Sequence, residues 1–345
     1  MKNLHIMFNE KFISSYIKFV NDNLDMNEHY FIVIGGVSVK KMPIPEYLNV
    51  RYISFEEEFN IFLKFIKQVY ILYHVLLKEA KNSEQVYFHG LFHKKTILFL
   101  YIFRKLLKKS NWIVWGGDLY CFQNRNYESL KNRIWYKIDD YVKGNIEYVN
   151  TLVPGDYDIA KRYYNVKGKY KEMRYPCELV EMDLDKFKIV NKRETYIQVG
   201  NSGNPSNNHL EVLKCLEKYK DFDIKIFAVL SYAGTKEYVN KVKNYGEKLF
   251  GSKFIAIMDF MPYEKYWEYL SNIDILIFNH KRQQGLGNIV MLSYFEKKIY
   301  LRSDISSWDY LTGNIGLRLN DYAQIQNKIL RNLKIIMHVE IEKNV

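Results

Sequence analysis

At 345 residues, 48% hydrophobic and 26% charged, the chain reads as globular rather than disordered and is too long for one ordinary core. Its 51 basic residues against 39 acidic ones leave a net charge of +12, which points to a polyanionic partner: nucleic acid, anionic lipid or a phosphorylated substrate. Cys121, Cys177 and Cys215 are scattered with no close pair, which argues against a disulfide framework or a zinc site and suits a reducing compartment.

Leu4 to Phe8 is a short apolar strand, and Met1 to Ile6 lacks the basic-then-apolar pattern of a leader. Apolar residues at Phe12, Tyr16, Phe19 and Val20 recur at helical spacing, which predicts a helix from Lys11 to Asn23. Strands follow at Tyr30 to Ile34 and Val50 to Ile53. Glu56 to Lys81 is a long helical pattern with an acidic start and a basic end. Val86 to Phe88 is a strand ending in His89-Gly90. Thr96 to Ser110 is a helix with a basic tail, and Trp112 to Trp115 is a strand. Ile146 to Val153 is a strand, and Tyr157 to Tyr164 a tyrosine-rich helix. Strand–helix alternation is the signature of a parallel sheet covered on both faces.

Glu178 to Arg193 has weak periodicity and reads as a linker, dividing residues 1–180 from 181–345. The alternation then restarts. Strands are predicted at Tyr196 to Val199, Ile224 to Leu230, Lys253 to Met258, Ile273 to Phe278 and Ile299 to Leu301. Helices are predicted at His209 to Tyr219, Lys236 to Leu249, Tyr263 to Ser271, Gly287 to Phe295 and Tyr322 to Ile336. Two such halves suggest α/β architecture with two Rossmann-like domains facing each other across a cleft. The most apolar runs, Gln68 to Leu77 and Thr96 to Phe103, are far below the ~20 residues that span a bilayer. A cytoplasmic protein, soluble or peripherally bound, is expected.

Five stretches carry candidate chemistry. Trp115-Gly116-Gly117-Asp118-Leu119-Tyr120 follows a strand, where open α/β sheets place ligands. Alone it reads equally as an ordinary turn with Asp118 as a helix cap. His89, at another strand end, is a candidate general base, and such a histidine is more often a hydrogen-bonded neighbour. Gly200-Asn201-Ser202-Gly203 is a small-residue loop whose N–H groups can face a phosphate. Lys281-Arg282-Gln283-Gln284-Gly285-Leu286-Gly287-Asn288 precedes an apolar helix. There Arg282 can fork onto phosphate oxygens and the glutamines can bond sugar hydroxyls. Met258 to Tyr263 is either a base-stacking wall or core. The dinucleotide fingerprint, the phosphate-binding P-loop, H-E-x-x-H and D-x-D are all absent.

Together Trp115 to Tyr120, Val199 to Gly203 and Arg282 to Gly285 resemble the signature blocks of glycosyltransferase family 56, the TDP-Fuc4NAc:lipid II Fuc4NAc transferases or 4-α-L-fucosyltransferases. Val86 to Gly90 is similar to the family's Phe-His-Gly block, and Trp308 to its late aromatic. The resemblance implies a GT-B fold, a dTDP-sugar donor and an undecaprenyl-diphosphate-linked glycan acceptor. The family's best-known product is the enterobacterial common antigen, and this chain's departures allow another surface polysaccharide such as O-antigen. The family often has Gly-Ala-Asp where Gly116-Gly117-Asp118 stands, and the first 80 residues match loosely. Gln284 and Leu292 replace the paired glutamates common in GT-B enzymes.

The expected enzyme is a metal-independent glycosyltransferase, with no cofactor and with the dTDP-sugar as substrate. Asp118 or His89 takes the acceptor proton or orients the sugar. Gly200, Asn201, Ser202, Gly203, Arg282, Gln283, Gln284, Gly285, Gly287 and Asn288 hold the donor, and Trp115, Gly116, Gly117 and Tyr120 line the acceptor side. No nucleic acid partner is expected. The basic run Arg104 to Lys109 can rest on the anionic inner-membrane surface, or be a solvated helix end. The alternative is a nucleotide-sugar-binding partner without turnover.

Overall fold

A computed structural model describes residues 2–10, 12–35, 47–54, 69–175, 187 and 192–327. The chain divides into two compact units, Met1–Met182 and Asp183–Val345. The predicted linker core, most of the helix from Glu56, the end of the last helix and Cys177 lie outside the described residues.

The first unit holds a seven-stranded sheet: β1 (Asn3–Phe8), β2 (His29–Gly35), β3 (Val50–Ser54), β4 (Gln85–His89), β5 (Ser110–Ile113), β6 (Tyr148–Thr151) and β7 (Lys169–Glu172). All pairings are parallel, in the order β3-β2-β1-β4-β5-β6-β7. Such strands are buried on both faces, so alternate residues serve different cores. Leu4 and Ile6 pack into a cluster with Phe88, Trp112 and Val149. Met7 packs with Phe31, Val33 and α1 (Ile13–Asn23) on the other face.

The sequence reading lacks several described elements, among them a long helix and an edge strand of the first unit. Helix α2 (Leu130–Asn145) is capped by Ser129, whose hydroxyl accepts from Asn132 N–H at 3.3 Å. Its apolar residues recur every four positions, yet Leu130 and Ile134 face solvent, so the stripe is diluted by charge. β7, Lys-Tyr-Lys-Glu, is a charged edge strand without an apolar signature. The predicted helix Thr96 to Ser110 breaks in two: a helix Lys94–Ile102 passes into a tighter turn at Arg104–Lys109, and Ser110 already opens β5. Phe99, 1% exposed, belongs to the core, while Leu98 and Ile102 face solvent.

The second unit holds β8 (Thr195–Val199), β9 (Ile224–Val229), β10 (Phe254–Ile257), β11 (Ile275–Phe278), β12 (Lys298–Leu301) and β13 (Asn320–Asp321). They form a parallel sheet in the order β10-β9-β8-β11-β12-β13. In both sheets the first strand of the unit lies centrally, and chain progression reverses between it and the fourth. At that reversal neighbouring connections leave to opposite faces, opening a crevice at the carboxyl ends of the two strands. The fold thus marks two places: between β1 and β4, and between β8 and β11.

Candidate active site

The β1–β4 crevice is bordered by Asn9 and Glu10 after β1 and by His89 to Phe92 after β4. The stretch after β5 lies beside it. Gly116 has φ +81°, a left-handed conformation suited to glycine, and turns the chain back at the strand end. Asp118 then enters the protein at 2% exposure. Its Oδ2 accepts from Leu91 N–H at 2.9 Å and the Trp112 indole at 2.6 Å. Its Oδ1 accepts from the N–H groups of Trp115 and Leu119, both at 3.0 Å. A carboxylate has about four acceptor sites, and all are filled. The base role expected for Asp118 does not fit this geometry, because a base needs a lone pair open to the substrate. What Asp118 does is tie the loops after β4 and β5 together.

Tyr120 also departs from expectation. It is 5% exposed, packs in the core and donates to Asp156 at 2.7 Å, so it lines no ligand site. Trp115 is half-buried and stands among rings, with centroids 6.1 Å from Phe12, 6.3 Å from Phe92 and 5.4 Å from Tyr175. Phe12 and Phe92 are each 42% exposed. Gly117 packs against this group, since a Cβ there would stand 3.0 Å from the Phe92 ring. His89 is 3% exposed with both ring nitrogens engaged, by His5 at 3.1 Å and by the Tyr175 hydroxyl. Burial pushes its pKa down to about 3, so it does not meet substrate as a free base.

Sequence reasoning missed Glu10, Phe92 and Tyr175. Glu10 is an exposed carboxyl whose pKa desolvation raises above its ordinary value. Its signal was available: it stands just beyond the first strand, where a dinucleotide fold would carry glycine.

At the β8–β11 crevice the two predicted loops meet. The Gln284 amide donates to Asn201 Oδ1 at 3.0 Å and Asn207 Oδ1 at 2.9 Å, and its Oε1 accepts from Ser206 at 2.8 Å. Asn207, fully buried, donates through Nδ2 to the Ser202 carbonyl, the Ser202 hydroxyl and the Asn204 carbonyl at 3.0–3.1 Å. The N–H groups expected to face a phosphate are largely spent within this lattice. Gly200 donates to Ile277 at 3.1 Å, Asn201 to Asn207 Oδ1 at 3.2 Å and Gly203 to the Tyr232 carbonyl at 2.8 Å. Gly203 is packed, with a Cβ position 3.0 Å from Val239. Asn288 donates to the partly buried Tyr266 hydroxyl at 2.7 Å.

The open part of this crevice is the start of helix Leu286–Tyr294. Gly285, at φ +68°, is its N-cap, and a Cβ there would stand 2.7 Å from Phe278. No side chain caps the helix, and the space before the Cβ position of Gly287 is open. The first-turn N–H groups of a helix lack partners within it and carry its positive end. Arg282 and Gln283 precede this turn and are partly exposed. Met258, 42% exposed, and Phe260, 68% exposed, follow β10 on the same sheet. His280 and His209 are wholly buried here, and burial pushes their pKa values down to about 3 and about 4. Neither was singled out from sequence.

Solved structures share this plan. Sucrose-phosphate synthase from Thermosynechococcus elongatus matches with TM-score 0.66 at 10% identity, over 98% of this chain and 91% of that one. The E. coli trehalose-6-phosphate protein bound with UDP-2-fluoro glucose matches with TM-score 0.68 at 8% identity, over 98% and 92%. Anabaena HepE in complex with UDP matches with TM-score 0.62 at 10% identity, over 98% and 89%. At such identities the likeness shows the fold, which is GT-B. The sequence itself goes further: residues 39–339 match the model of the 4-alpha-L-fucosyltransferases, glycosyl transferase group 56, and the chain belongs to that family of glycosyltransferases.

Proposed function

We propose that the protein moves a deoxy-amino sugar of the Fuc4NAc kind from a dTDP-sugar to a polyprenyl-diphosphate-linked oligosaccharide, in assembly of a bacterial surface polysaccharide on the cytoplasmic face of the inner membrane. The observation that carries the donor half is the uncapped start of helix Leu286–Tyr294, behind Lys281 and Arg282 and open in front of Gly287. When the sugar leaves, negative charge develops on the diphosphate. Helix N–H groups and a guanidinium stabilise that charge more than they stabilise the ground state. Met258 and Phe260 supply an apolar wall for the base. In the acceptor half, Phe12, Phe92 and Trp115 present ring faces to sugar C–H groups, and Glu10 offers a carboxylate to a sugar hydroxyl. Asp118 is the positioning residue that holds Trp115 in place.

Thermal shift tests the donor half. Stabilisation by dTDP should exceed that by dTMP, and Arg282→Ala should remove most of the difference, roughly 1.5–3 kcal/mol for charge-assisted bonds. Equal losses for the two nucleotides would take Arg282 off the diphosphate. Release of dTDP from dTDP-Fuc4NAc on addition of a polyprenyl-diphosphate oligosaccharide tests the transfer itself.

The membrane half of the reading rests on one face of the first unit. Leu98 and Ile102 of helix Lys94–Ile102 and Leu130 and Ile134 of α2 are exposed, amid Lys95, Lys105 and Lys131. Arg104 bridges the two elements, 4.4 Å from the Tyr101 ring and 4.7 Å from that of Tyr141. Among the described residues no helix is long and apolar enough to cross a membrane. Each lysine near an anionic surface contributes about 1 kcal/mol, so Lys95→Glu with Lys105→Glu should cut binding to phosphatidylglycerol vesicles by roughly tenfold or more. Equal binding to phosphatidylcholine vesicles would remove the electrostatic part.

A further inference from the structure

On the α1 face of the first sheet, three histidines run from one end of the strands to the other. His29 opens β2, His5 lies inside β1 and His89 closes β4. His5 pairs in register with Phe31 and Tyr87, and its ring stacks against both, at 4.7 and 4.8 Å. His29 Nδ1 meets His5 Nε2 at 3.0 Å, and His5 Nδ1 meets His89 Nε2 at 3.1 Å. His89 Nδ1 meets the Tyr175 hydroxyl. Both ring-to-ring links therefore join Nε2 of one imidazole to Nδ1 of the next, in a single direction, and the tyrosine hydroxyl meets the Nδ1 left at the end. A neutral imidazole has one N–H and one lone pair, so only two proton arrangements satisfy every link. In one, each Nε2 carries the proton and Tyr175 donates to His89. In the other, each Nδ1 carries it and His89 donates to Tyr175.

The middle of the file is dry, with His5 1% and His89 3% exposed. Its ends are not. His29 is half-buried, and Tyr175 is partly exposed among Trp115 and Phe12. Asp25 and Glu28 face His29, Tyr16 and Tyr87 flank His5, Tyr16 lies edge-on to His89, and the Asp118 carboxylate bears on Tyr175.

We propose that Tyr175, His89, His5 and His29 form a proton relay that carries the acceptor hydroxyl proton away from the β1–β4 crevice to water at the opposite end of the sheet. This role rests on the glycosyl-transfer reading; the coupled file does not. As the acceptor oxygen bonds the anomeric carbon, the bond from that carbon to the diphosphate oxygen breaks, and the diphosphate leaves with the electron pair. The acceptor proton passes to the Tyr175 oxygen, whose own proton moves to His89 Nδ1. His89 passes its Nε2 proton to His5 Nδ1, His5 passes its Nε2 proton to His29 Nδ1, and His29 releases its Nε2 proton to water. After product departs, His29 takes a proton from water on Nε2, the reverse shift resets the file, and Tyr175 releases a proton into the vacated crevice. Burial lowers the basicity of all three rings, so the file transmits a proton without storing one.

A titration of the full chain with 15N-labelled histidine, followed by NMR, needs no substrate. At neutral pH all three rings should be neutral with the proton on Nε2. When His29 charges on acidification, its Nδ1–H must donate to His5. His5 and His89 should then switch to the Nδ1–H tautomer at the same midpoint while staying neutral, and His29→Phe should abolish the switch. Tautomers of His5 and His89 that ignore the His29 midpoint would overturn the relay. In turnover of dTDP-sugar with polyprenyl-diphosphate acceptor, His29→Phe and Tyr175→Phe should each lower kcat roughly tenfold or more, with donor KM unchanged and the solvent deuterium isotope effect reduced. A folded His29→Phe protein with full kcat, alongside an inactive Glu10→Gln, would replace the relay with Glu10 as base and leave the transfer reading standing. Absence of turnover in the wild-type protein would instead count against transfer, and the tautomer switch would still decide the relay.

Discussion

Asp118→Asn should unfold before it merely inactivates. The carboxylate meets four N–H donors, two on each oxygen, inside a site with 2% exposure. An amide keeps one oxygen and turns an NH2 group toward two donors. Two charge-assisted bonds are lost and two donors are left buried without acceptors. Breaking such a site costs on the order of 3–5 kcal/mol. Denaturant unfolding should show that loss, with nucleotide binding by the second unit surviving where that unit stays folded. An Asp118→Asn protein as stable as wild type yet devoid of transfer would restore Asp118 to the chemistry. The linked loss is Trp115: with its N–H released, the indole should lose its place between Phe12, Phe92 and Tyr175.

Gln284→Ala should be the most damaging single change in the donor half. The side chain makes three bonds, to Asn201, Asn207 and Ser206, and so joins the loop after β8 to the loop after β11. Each neutral bond contributes about 1 kcal/mol net, and leaving Asn207 and Asn201 short of donors adds to the cost. A fall of roughly 2–3 kcal/mol in stability is expected, with dTDP affinity reduced by tenfold or more as the start of helix Leu286–Tyr294 loosens. Calorimetry with dTDP on the folded variant measures the second part. Unchanged affinity would mean that the helix start holds its position without the strap.

How the sequence performed differs by kind of residue. The buried strands were legible because parallel strands are apolar on both faces: Tyr30 to Ile34 and Ile224 to Leu230 stand out against their flanks. β7 and α2 were not, because an edge strand and a solvent-facing helix carry charge where the pattern needs apolar residues. The loops were found by their glycines and by their place after strands. Side-chain roles within them were not legible, since a carboxylate looks the same in sequence whether it faces substrate or, as Asp118 does, three backbone N–H groups and an indole. Asp118 and Tyr120 turned inward for that reason. The sequence offers Gln284 as a ligand for sugar hydroxyls, and the structure bonds it to three neighbours. The histidine file was invisible for a further reason: His5, His29 and His89 are brought together only by the sheet order β2-β1-β4.

The loops after β8 and β11 are joined by carboxamides rather than by charges, and this has a consequence for ageing. Among the described residues, Asn201, Asn207 and Gln284 hold the loop after β8 through neutral partners, so salt and moderate pH should leave those bonds in place. Deamidation does not. Conversion of Asn207 to aspartate would set an oxygen against the Ser202 and Asn204 carbonyls where a nitrogen now donates. Carboxamides are among the thermolabile side chains, and this one has no spare geometry. A protein in which Asn207 has become aspartate should therefore lose the shape of the loop after β8 while the bulk of both cores remains intact.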